Sequence, residues 1–193
     1  MARPREFDED AALRKAMEAF WSKGYEATSL SDLTGAMDVS RSSLYAAFGD
    51  KDQLFGRALD LYMSEVSADR VKILRTARTA REGIRAWLDH HIRVALDPKT
   101  PPGCMFVNTA VESAIVPGEI ADRIATRAKL GEAAVRELLE RAQETGELDR
   151  STDVRALAVM LVAVSYGIHV MARMHSDRRK LQAVAASALE ALS

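Results

Sequence analysis

Apolar residues recur at helical spacing through most of the chain, as in the early series Leu13, Ala16, Met17 and Phe20. Intervals of three and four residues place such side chains on one face of a helix, whereas no stretch alternates with the period of two that a strand requires. The five prolines leave residues 5–97 and 118–193 free of helix breakers. The pattern therefore predicts an all-α protein with long helices.

Capping signals divide the first 55 residues into short helices. Asp8 opens a first helix that ends near Gly24. The sequence Ser29-Leu-Ser-Asp32 has the spacing of a capping box and opens a second helix that extends to about Met37. Because these signals are local, they predict the positions of the helix ends without any knowledge of the tertiary structure.

A tight turn at residues 38–39 leads from the second helix into a third. Ser40 can cap this third helix, which covers residues 41–48. A further capping box at residues 50–53 opens a long helix over residues 51–77. Three short helices and a long one, with a tight turn between the second and third, are typical of a helix-turn-helix arrangement.

The later helices are easier to count than to place. They lie near residues 79–96, 103–114, 118–145, 153–175 and 177–192, which brings the predicted total to about nine. We therefore expect two domains, an N-terminal helix-turn-helix head over residues 1–55 and a larger helical body over residues 56–193.

Composition excludes several classes of protein. The chain is 48% hydrophobic and 28% charged with a net charge of −1, which is typical of a soluble globular protein. One cysteine excludes an intrachain disulfide framework and a cysteine-cluster metal site. The sequence has no nucleophile motif and no glycine-rich phosphate loop, so we expect neither an enzyme nor a cofactor or metal site.

A membrane location is not expected either. The start of the chain is too charged for a signal peptide, and the longest uncharged run, residues 156–172, has 17 residues. A membrane span needs about 20 residues, so a helix buried on several sides explains this run better. We expect a soluble, cytoplasmic protein with no membrane partner.

The third helix carries the chemistry expected of a DNA-reading element. In a helix-turn-helix the second helix of the motif lies in the major groove. Arginine suits bidentate contact with guanine, serine bonds to bases or phosphates, and alanine contacts thymine methyl groups. Leu44 and Phe48 should point inward, and the residues facing DNA would be Arg41, Ser42, Ser43, Tyr45, Ala46 and Ala47.

Charge favours a different interpretation of the head. Residues 1–55 hold seven Lys and Arg against ten Asp and Glu, a balance of −3. Since non-specific DNA affinity scales with the number of phosphates neutralised, this balance leaves open a helical module that docks another protein instead of DNA.

The residues of the head resemble the DNA-binding domain of TetR-family transcriptional regulators. The resemblance covers residues 8–60, and its most specific pieces are Gly24-Tyr25 with Thr28, Val39-Ser40, Leu44-Tyr45, Phe48 and Lys51 with Leu54. It implies that residues 41–43 and 45–47 contact bases, and that Thr28, Tyr45 and Lys51 contact phosphates. Asp38 departs from the family's usual glycine in the turn, but aspartate tolerates a left-handed conformation better than most residues.

The same resemblance implies a homodimer built from the last two helices and a repressor that a small-molecule inducer releases from a pseudo-palindromic DNA operator. The sequence itself favours a dimer, because residues 154–171 are apolar on nearly every side of the helix. Packing against one layer of a monomer would leave part of this apolar surface exposed to solvent. A monomeric core remains the alternative. The predicted interface consists of Leu157, Leu161, Val164, Ile168, Met171, Leu181, Val184 and Ala188.

A pocket for the inducer is expected in the body, lined by apolar residues and side chains with a polar tip. The candidates are Trp87, His91, Cys104, Phe106, Asn108, Tyr166 and His169. The segment around Cys104 is similar to a subset of TetR regulators with Gly-Cys at this point, some of which sense electrophiles or oxidants. Cysteine is equally suited to a small buried apolar position, so both roles stay open.

Overall fold

The computed structural model describes residues 7–65, 68–174 and 177–192, and these residues contain helices and no strand. The all-α prediction is therefore confirmed. The helices are α1 (Glu9–Lys23), α2 (Leu30–Met37), α3 (Arg41–Phe48), α4 (Lys51–Glu65), α5 (Ala68–Thr76), α6 (Ala80–Ala95), α7 (Met105–Val111), α8 (Gly118–Thr145), α9 (Val154–Met174) and α10 (Arg178–Glu190). The single helix predicted over residues 51–77 is described as α4 and α5, on either side of residues 66 and 67.

The predicted caps position the head helices. The Ser29 hydroxyl accepts from the Asp32 N–H at 3.1 Å, and the Asp32 carboxylate accepts from the Ser29 N–H at 2.9 Å, which completes the capping box of α2. The Ser40 hydroxyl caps α3 by accepting from the Ser43 N–H at 3.0 Å. Asp38 ends α2 with φ of 56° and ψ of 49°, so the left-handed turn survives without glycine, as predicted.

The apolar core of the head extends beyond residue 55, where the sequence analysis placed the boundary. Phe20 and Trp21 of α1 pack edge-on against Phe55 and Tyr62 of α4. The same cluster of buried residues continues into α7 and the first turns of α8. The core of the head therefore includes α4, α7 and the start of α8, which connect it to the body.

A second cluster fills the body, where α5, α6, the C-terminal half of α8, α9 and α10 pack together. α9 is the one described helix that is long and apolar enough to cross a membrane by length and composition. Its packing against α6, α8 and α10 explains that composition, because a helix at the centre of a bundle is apolar on several faces.

The structure corrects the predicted dimer stripe. Leu161 and Ile168 of α9 are fully buried inside the single protomer, and Leu181 of α10 is 1% exposed. Leu157 and Ala188 are buried in the same core, and Val164, Met171 and Val184 are half-buried. Five of the eight predicted residues therefore cover their own protomer, since periodicity identifies an apolar face but not the partner that covers it, while the three half-buried residues stay predicted interface residues.

Another apolar face of α9 remains exposed. Val159, Val170 and Met174 are 51%, 45% and 67% exposed. Small residues lie between them, with exposed Ala163 and half-buried Gly167 along the same side of the helix. A contiguous exposed apolar face of this kind is typical of an interaction site.

Candidate DNA interface and interior cavity

The outward face of α3 carries the predicted DNA-reading residues. Arg41, Ser42 and Ala46 are exposed, and Tyr45 is 46% exposed although it is a large aromatic residue. Ser43 and Ala47 are half-buried at the edges of this face. Four of the six predicted residues are therefore exposed and two lie at the edges of the exposed face, while Leu44 and Phe48 lie in the core as expected.

Two sets of contacts hold α3 in place. At its start, the Ser40 hydroxyl lies 2.9 Å from the Ser42 hydroxyl and 2.8 Å from that of Ser43. At its end, the Arg57 guanidinium of α4 lies over the Phe48 ring at 4.6 Å and donates to the Ala47 carbonyl at 3.0 Å. Sequence reasoning missed Arg57, because nothing in the local pattern links residue 57 to the end of α3.

Lys51 lies at the start of α4, against the loop that follows α1. Its ammonium nitrogen is 4.4 Å from the centre of the Tyr25 ring and 3.5 Å from the Glu26 carbonyl oxygen, to which it donates. The Tyr25 hydroxyl donates to Asp52, and burial together with this bond raises the pKa of Tyr25 above its ordinary value. Half-buried Lys51 thus offers a positive charge in a fixed position at a helix N-terminus, where phosphate groups bind well.

The structure corrects the prediction for Thr28. Its side chain is fully buried, and its hydroxyl donates to the Gly24 carbonyl at 2.5 Å. A hydroxyl that is both enclosed and bonded to the backbone is not available to a DNA phosphate. Thr28 instead stabilises the loop that carries Tyr25 against α4.

A cavity of about 350 Å³ lies in the body, lined by residues of α4 to α9. Four of the seven predicted pocket residues line it, namely Trp87, His91, Phe106 and Tyr166. Cys104, Asn108 and His169 do not line this cavity. Cys104 contacts Tyr62, Asn108 contacts Trp21 of the head, and His169 contacts the cavity residue His91. The volume falls at the low end of the range for small-molecule sites.

Two of the predicted histidines form a buried pair. His91 Nδ1 lies 2.8 Å from His169 Nε2, and both side chains are at most 2% exposed. Burial, followed by the positive charge of Arg70, lowers the pKa of His169 to about 3 and holds that of His91 well below its ordinary value. The pair is therefore neutral at physiological pH.

Arg70 of α5 was not predicted, yet its positive charge acts on both histidines. Its guanidinium lies 3.5 Å from the Tyr62 hydroxyl and 3.9 Å from the Cys104 sulfur. The Tyr62 hydroxyl in turn donates to that sulfur at 3.1 Å, and burial raises the pKa of Tyr62 well above its usual value. Cys104 itself is fully buried within the apolar cluster of the head.

α7 connects the cavity to the head. Phe106 at its start lines the cavity, and the Asn108 amide two residues later donates to the Trp21 carbonyl of α1 at 3.2 Å. The Glu112 carboxylate at its end accepts from the Tyr25 N–H at 2.7 Å. Sequence reasoning placed Asn108 in the pocket and missed Glu112, because contacts between residues about 87 positions apart leave no local signal.

No group of three or more metal-ligating side chains occurs in residues 7–65, 68–174 and 177–192. The arrangement offers two kinds of chemistry instead. The surface of α3 can contact the edges of a DNA groove, and the cavity can enclose a small molecule within reach of α7.

Comparisons with known proteins agree with this division. A family model for bacterial regulatory proteins of the tetR family matches residues 12–58, and a model for a tetracyclin repressor-like C-terminal domain matches residues 79–188. The chain is 34% identical to the HTH-type transcriptional repressor ComR of Escherichia coli K12, over 97% of this chain and 90% of the relative. It is 32% identical to the HTH-type transcriptional regulator YezE of Bacillus subtilis 168, over 94% of each protein.

A solved structure extends the similarity to three dimensions. A cysteine-substituted mutant of the TetR-family transcriptional regulator CifR, complexed with a 26-base-pair operator DNA, superposes with a TM-score of 0.89. It is 35% identical in sequence and the match covers 98% of each chain. The similarity thus includes both the head and the body.

Proposed function

Because the chain belongs to the TetR family of bacterial transcriptional regulators, we propose that it is a homodimeric repressor that binds a pseudo-palindromic operator and leaves it when a small effector occupies the cavity. Members of this family are transcription factors and not enzymes. The relatives' names supply the direction of control, since ComR is a repressor, and a cytoplasmic location follows from the proposal.

The observation that carries the proposal is the outward face of α3. Arg41, Ser42 and Tyr45 are exposed on a helix whose other face is locked into the core by Leu44 and Phe48. Because the helix backbone is already ordered, these side chains can reach base edges without a further cost of ordering the backbone. The CifR neighbour, whose head has the same fold, was solved in complex with operator DNA.

The exposed face of α9 supports the dimer. Val159, Val170 and Met174 would be covered by the same face of a second copy, which is the self-complementary contact of a two-fold axis. Small residues along that face, such as Ala163 and Gly167, permit close approach of two helices. A dimer places two copies of α3 about 34–36 Å apart or somewhat further, as two successive major grooves require.

The cavity and α7 support control by an effector. Phe106 lines the cavity, while Asn108 and Glu112 on the same short helix bond to the end of α1. An occupant that displaces α7, and with it the α4 helix that shares its core, changes the position of the head. A coupling free energy of about 1–3 kcal/mol between the two sites is sufficient for a useful response.

The alternative of an electrophile or oxidant sensor at Cys104 receives less support. Its sulfur is fully buried, accepts from the Tyr62 hydroxyl and does not line the cavity. A reagent would reach it only after the core around α7 had opened. The alternative that the head docks a protein rests on the acidic charge balance of residues 1–55 alone.

Selection of purified protein against a random DNA library tests the proposed function. The wild type should enrich a pseudo-palindrome, and the Tyr45→Ala variant should enrich none, since it removes a contact from the reading face without disturbing the core. Enrichment of the same palindrome by both proteins would remove α3 from the interface. Enrichment by neither would contradict sequence-specific DNA binding.

The dimer face has its own test. Val170→Glu places a charge at the centre of the proposed interface and should shift the protein to monomer in sedimentation velocity, with loss of binding to the palindrome. Val111→Glu is the matched control, because Val111 is 81% exposed on α7, away from this face. An unchanged dimer in Val170→Glu would place the interface elsewhere.

A further inference from the structure

The cavity has an unbalanced charge. Arg70 and Arg75 of α5 and Arg127 of α8 line it, and the described lining residues include no carboxylate. Arg75 and Arg127 are exposed, which places them at its opening, whereas the Arg70 Nε atom is buried. Glu132 is a carboxylate near the lining. Burial and Cys104 raise the pKa of the lining residue Tyr166, and the charge of Glu132 adds to that effect.

In a neighbouring groove of the same molecule, arginines are accompanied by carboxylates. This groove shares Arg127 with the cavity but also has Asp60, Glu119 and Asp122 along its wall. There Arg123 pairs with Asp60 at 2.9 Å and with Glu119 at 2.6 Å. The absence of such partners at the cavity is therefore a property of that site and not of arginines in this body generally.

Arg70 is half-buried and has no carboxylate partner among the described residues. Its contacts are the Tyr62 hydroxyl and the Cys104 sulfur, and its Nε atom has no hydrogen-bond partner among the described residues. A guanidinium cannot lose its charge in a protein, and an unpaired buried charge is strongly destabilising. The half-buried guanidinium of Arg70 therefore offers a site for an anion at the cavity.

The other residues that line the cavity indicate the chemistry of the molecule that carries the anionic group. Leu74, Trp87, Phe106 and Val162 make most of the surface apolar. His91 adds one further polar atom, because its Nδ1 is bonded to His169 while its buried Nε2 has no partner in the described part of the chain. An occupant that satisfies this wall has an apolar body of modest size with a single anionic group.

We infer that the cavity binds a small organic carboxylate whose apolar or aromatic body lies against Trp87 and Phe106 and whose carboxylate pairs with Arg70. The planar guanidinium matches a carboxylate in a bidentate arrangement. The inference rests on the proposed function only in identifying this ligand as the effector, since the binding itself requires no DNA.

Ligand binding to the full-length protein in the absence of DNA tests the inference. The probes are 1-naphthoate, indole-3-acetate and decanoate, each paired with its neutral primary amide, measured by isothermal titration calorimetry and by thermal shift. At least one acid should bind about tenfold or more tightly than its amide, because the ion pair with Arg70 is lost in the amide. Arg70→Gln should abolish this preference, and Arg70→Lys should retain part of it.

Controls separate this result from other causes. Arg85→Gln removes an exposed arginine of α6 outside the cavity and should leave the preference intact. Cys104→Ser should also retain it, whereas a guanidinium present only to neutralise the sulfur would give no preference for acids in any variant. Equal binding of acid and amide, or binding of none of the three acids, overturns the inference. Operator selection with the same preparation tests the proposed function separately, so failure of one leaves the other standing.

Discussion

The outward face of α3 and the cavity of the body both present arginines, but in opposite settings. Arg41 projects into solvent from a helix held by its own cap and by two inward side chains. Arg70 lies beside buried Tyr62 and Cys104, with its Nε atom enclosed and without a partner. Arg41 is hydrated and can exchange that water for DNA under the proposed function, whereas the half-buried Arg70 can pair with an anion only if one enters the cavity.

This difference assigns different physical tasks to the two regions. A surface that stays hydrated can exchange water for phosphate and base edges, so its affinity depends strongly on salt. A cavity lined by apolar groups and unpartnered polar atoms discriminates by whether a ligand supplies the missing partner. α7 lies between the cavity and the head and contacts both, as the proposed control of DNA binding by a small molecule requires.

Substitutions on the two faces of α3 should differ most in their effect on the free energy of unfolding. Phe48→Ala should lower the free energy of unfolding by about 3–5 kcal/mol, because the buried ring packs in the head core and supports Arg57. Tyr45→Ala, three residues earlier on the outward face, should change it by less than about 1 kcal/mol. Urea denaturation followed by circular dichroism measures both. Similar losses for the two variants would show that Tyr45 is a core residue.

Acid should weaken the body through the histidine pair. His91 and His169 have pKa values below that of an unfolded histidine, so the unfolded chain binds protons first as the pH falls. The stability is fully present above pH 6.5 and is lost between pH 6.5 and about 3, at about 1.4 kcal/mol per pH unit for each histidine. Both groups together predict a loss of about 2–3 kcal/mol at pH 5.5 relative to pH 7.5.

The control for this prediction removes both imidazoles. A His91→Phe/His169→Leu variant should show a much smaller difference in unfolding free energy between pH 7.5 and pH 5.5, whatever its absolute stability. Arg70 faces the pair and stays charged throughout this range, so it contributes no proton of its own. A double variant with the same pH dependence as the wild type would assign the acid sensitivity to other groups.

Arg41 and Lys51 should separate base reading from phosphate binding. Arg41→Ala should relax discrimination at one position of each half-site by about 1–3 kcal/mol. Lys51→Ala should weaken all sequences alike and lower the salt dependence by about one phosphate contact per protomer. Fluorescence anisotropy with the selected duplex and single-base variants distinguishes these outcomes. Equal loss of discrimination in both variants would contradict this division of roles.

The contact between α7 and the head should have a smaller effect on stability. Glu112→Ala removes the carboxylate that accepts from the Tyr25 N–H and should cost about 1–2 kcal/mol. Glu119→Ala is the matched control, because its exposed pair with Arg123 is worth less than about 1 kcal/mol. Hydrogen exchange should show faster opening at the end of α1 in Glu112→Ala alone. Unchanged exchange there would exclude Glu112 as a link between the regions.

The head could be predicted closely because its determinants are local. The capping box of Ser29 and Asp32, the cap at Ser40 and the turn at Asp38 each involve residues within a few positions of one another. The exposed and buried faces of α3 follow from helical geometry once its start is known. Thr28 was misassigned because its family position says nothing about the Gly24 carbonyl that occupies its hydroxyl here.

The body could be predicted only in outline, because its site is built from distant segments. Four cavity residues were anticipated from their mixed apolar and polar character, but Arg70 was not, since its importance depends on the absence of a partner in three dimensions. The stripe containing Leu161 and Ile168 was correctly recognised as apolar and assigned to the wrong neighbour. Spacing reveals a face to be covered, while only the packing of α6, α8 and α10 reveals what covers it.

Directed DNA cleavage tests the central claim most directly. Cys104, the single native cysteine, is fully buried, so a cysteine introduced at exposed Ala46 can be labelled selectively with an iron chelate. On the selected duplex the labelled Ala46→Cys dimer should cut at two centres about 10–10.5 base pairs apart or somewhat further. Label at Ala186→Cys on α10 should give no cutting. Cleavage from α10 in place of α3, or a single centre, would contradict the account.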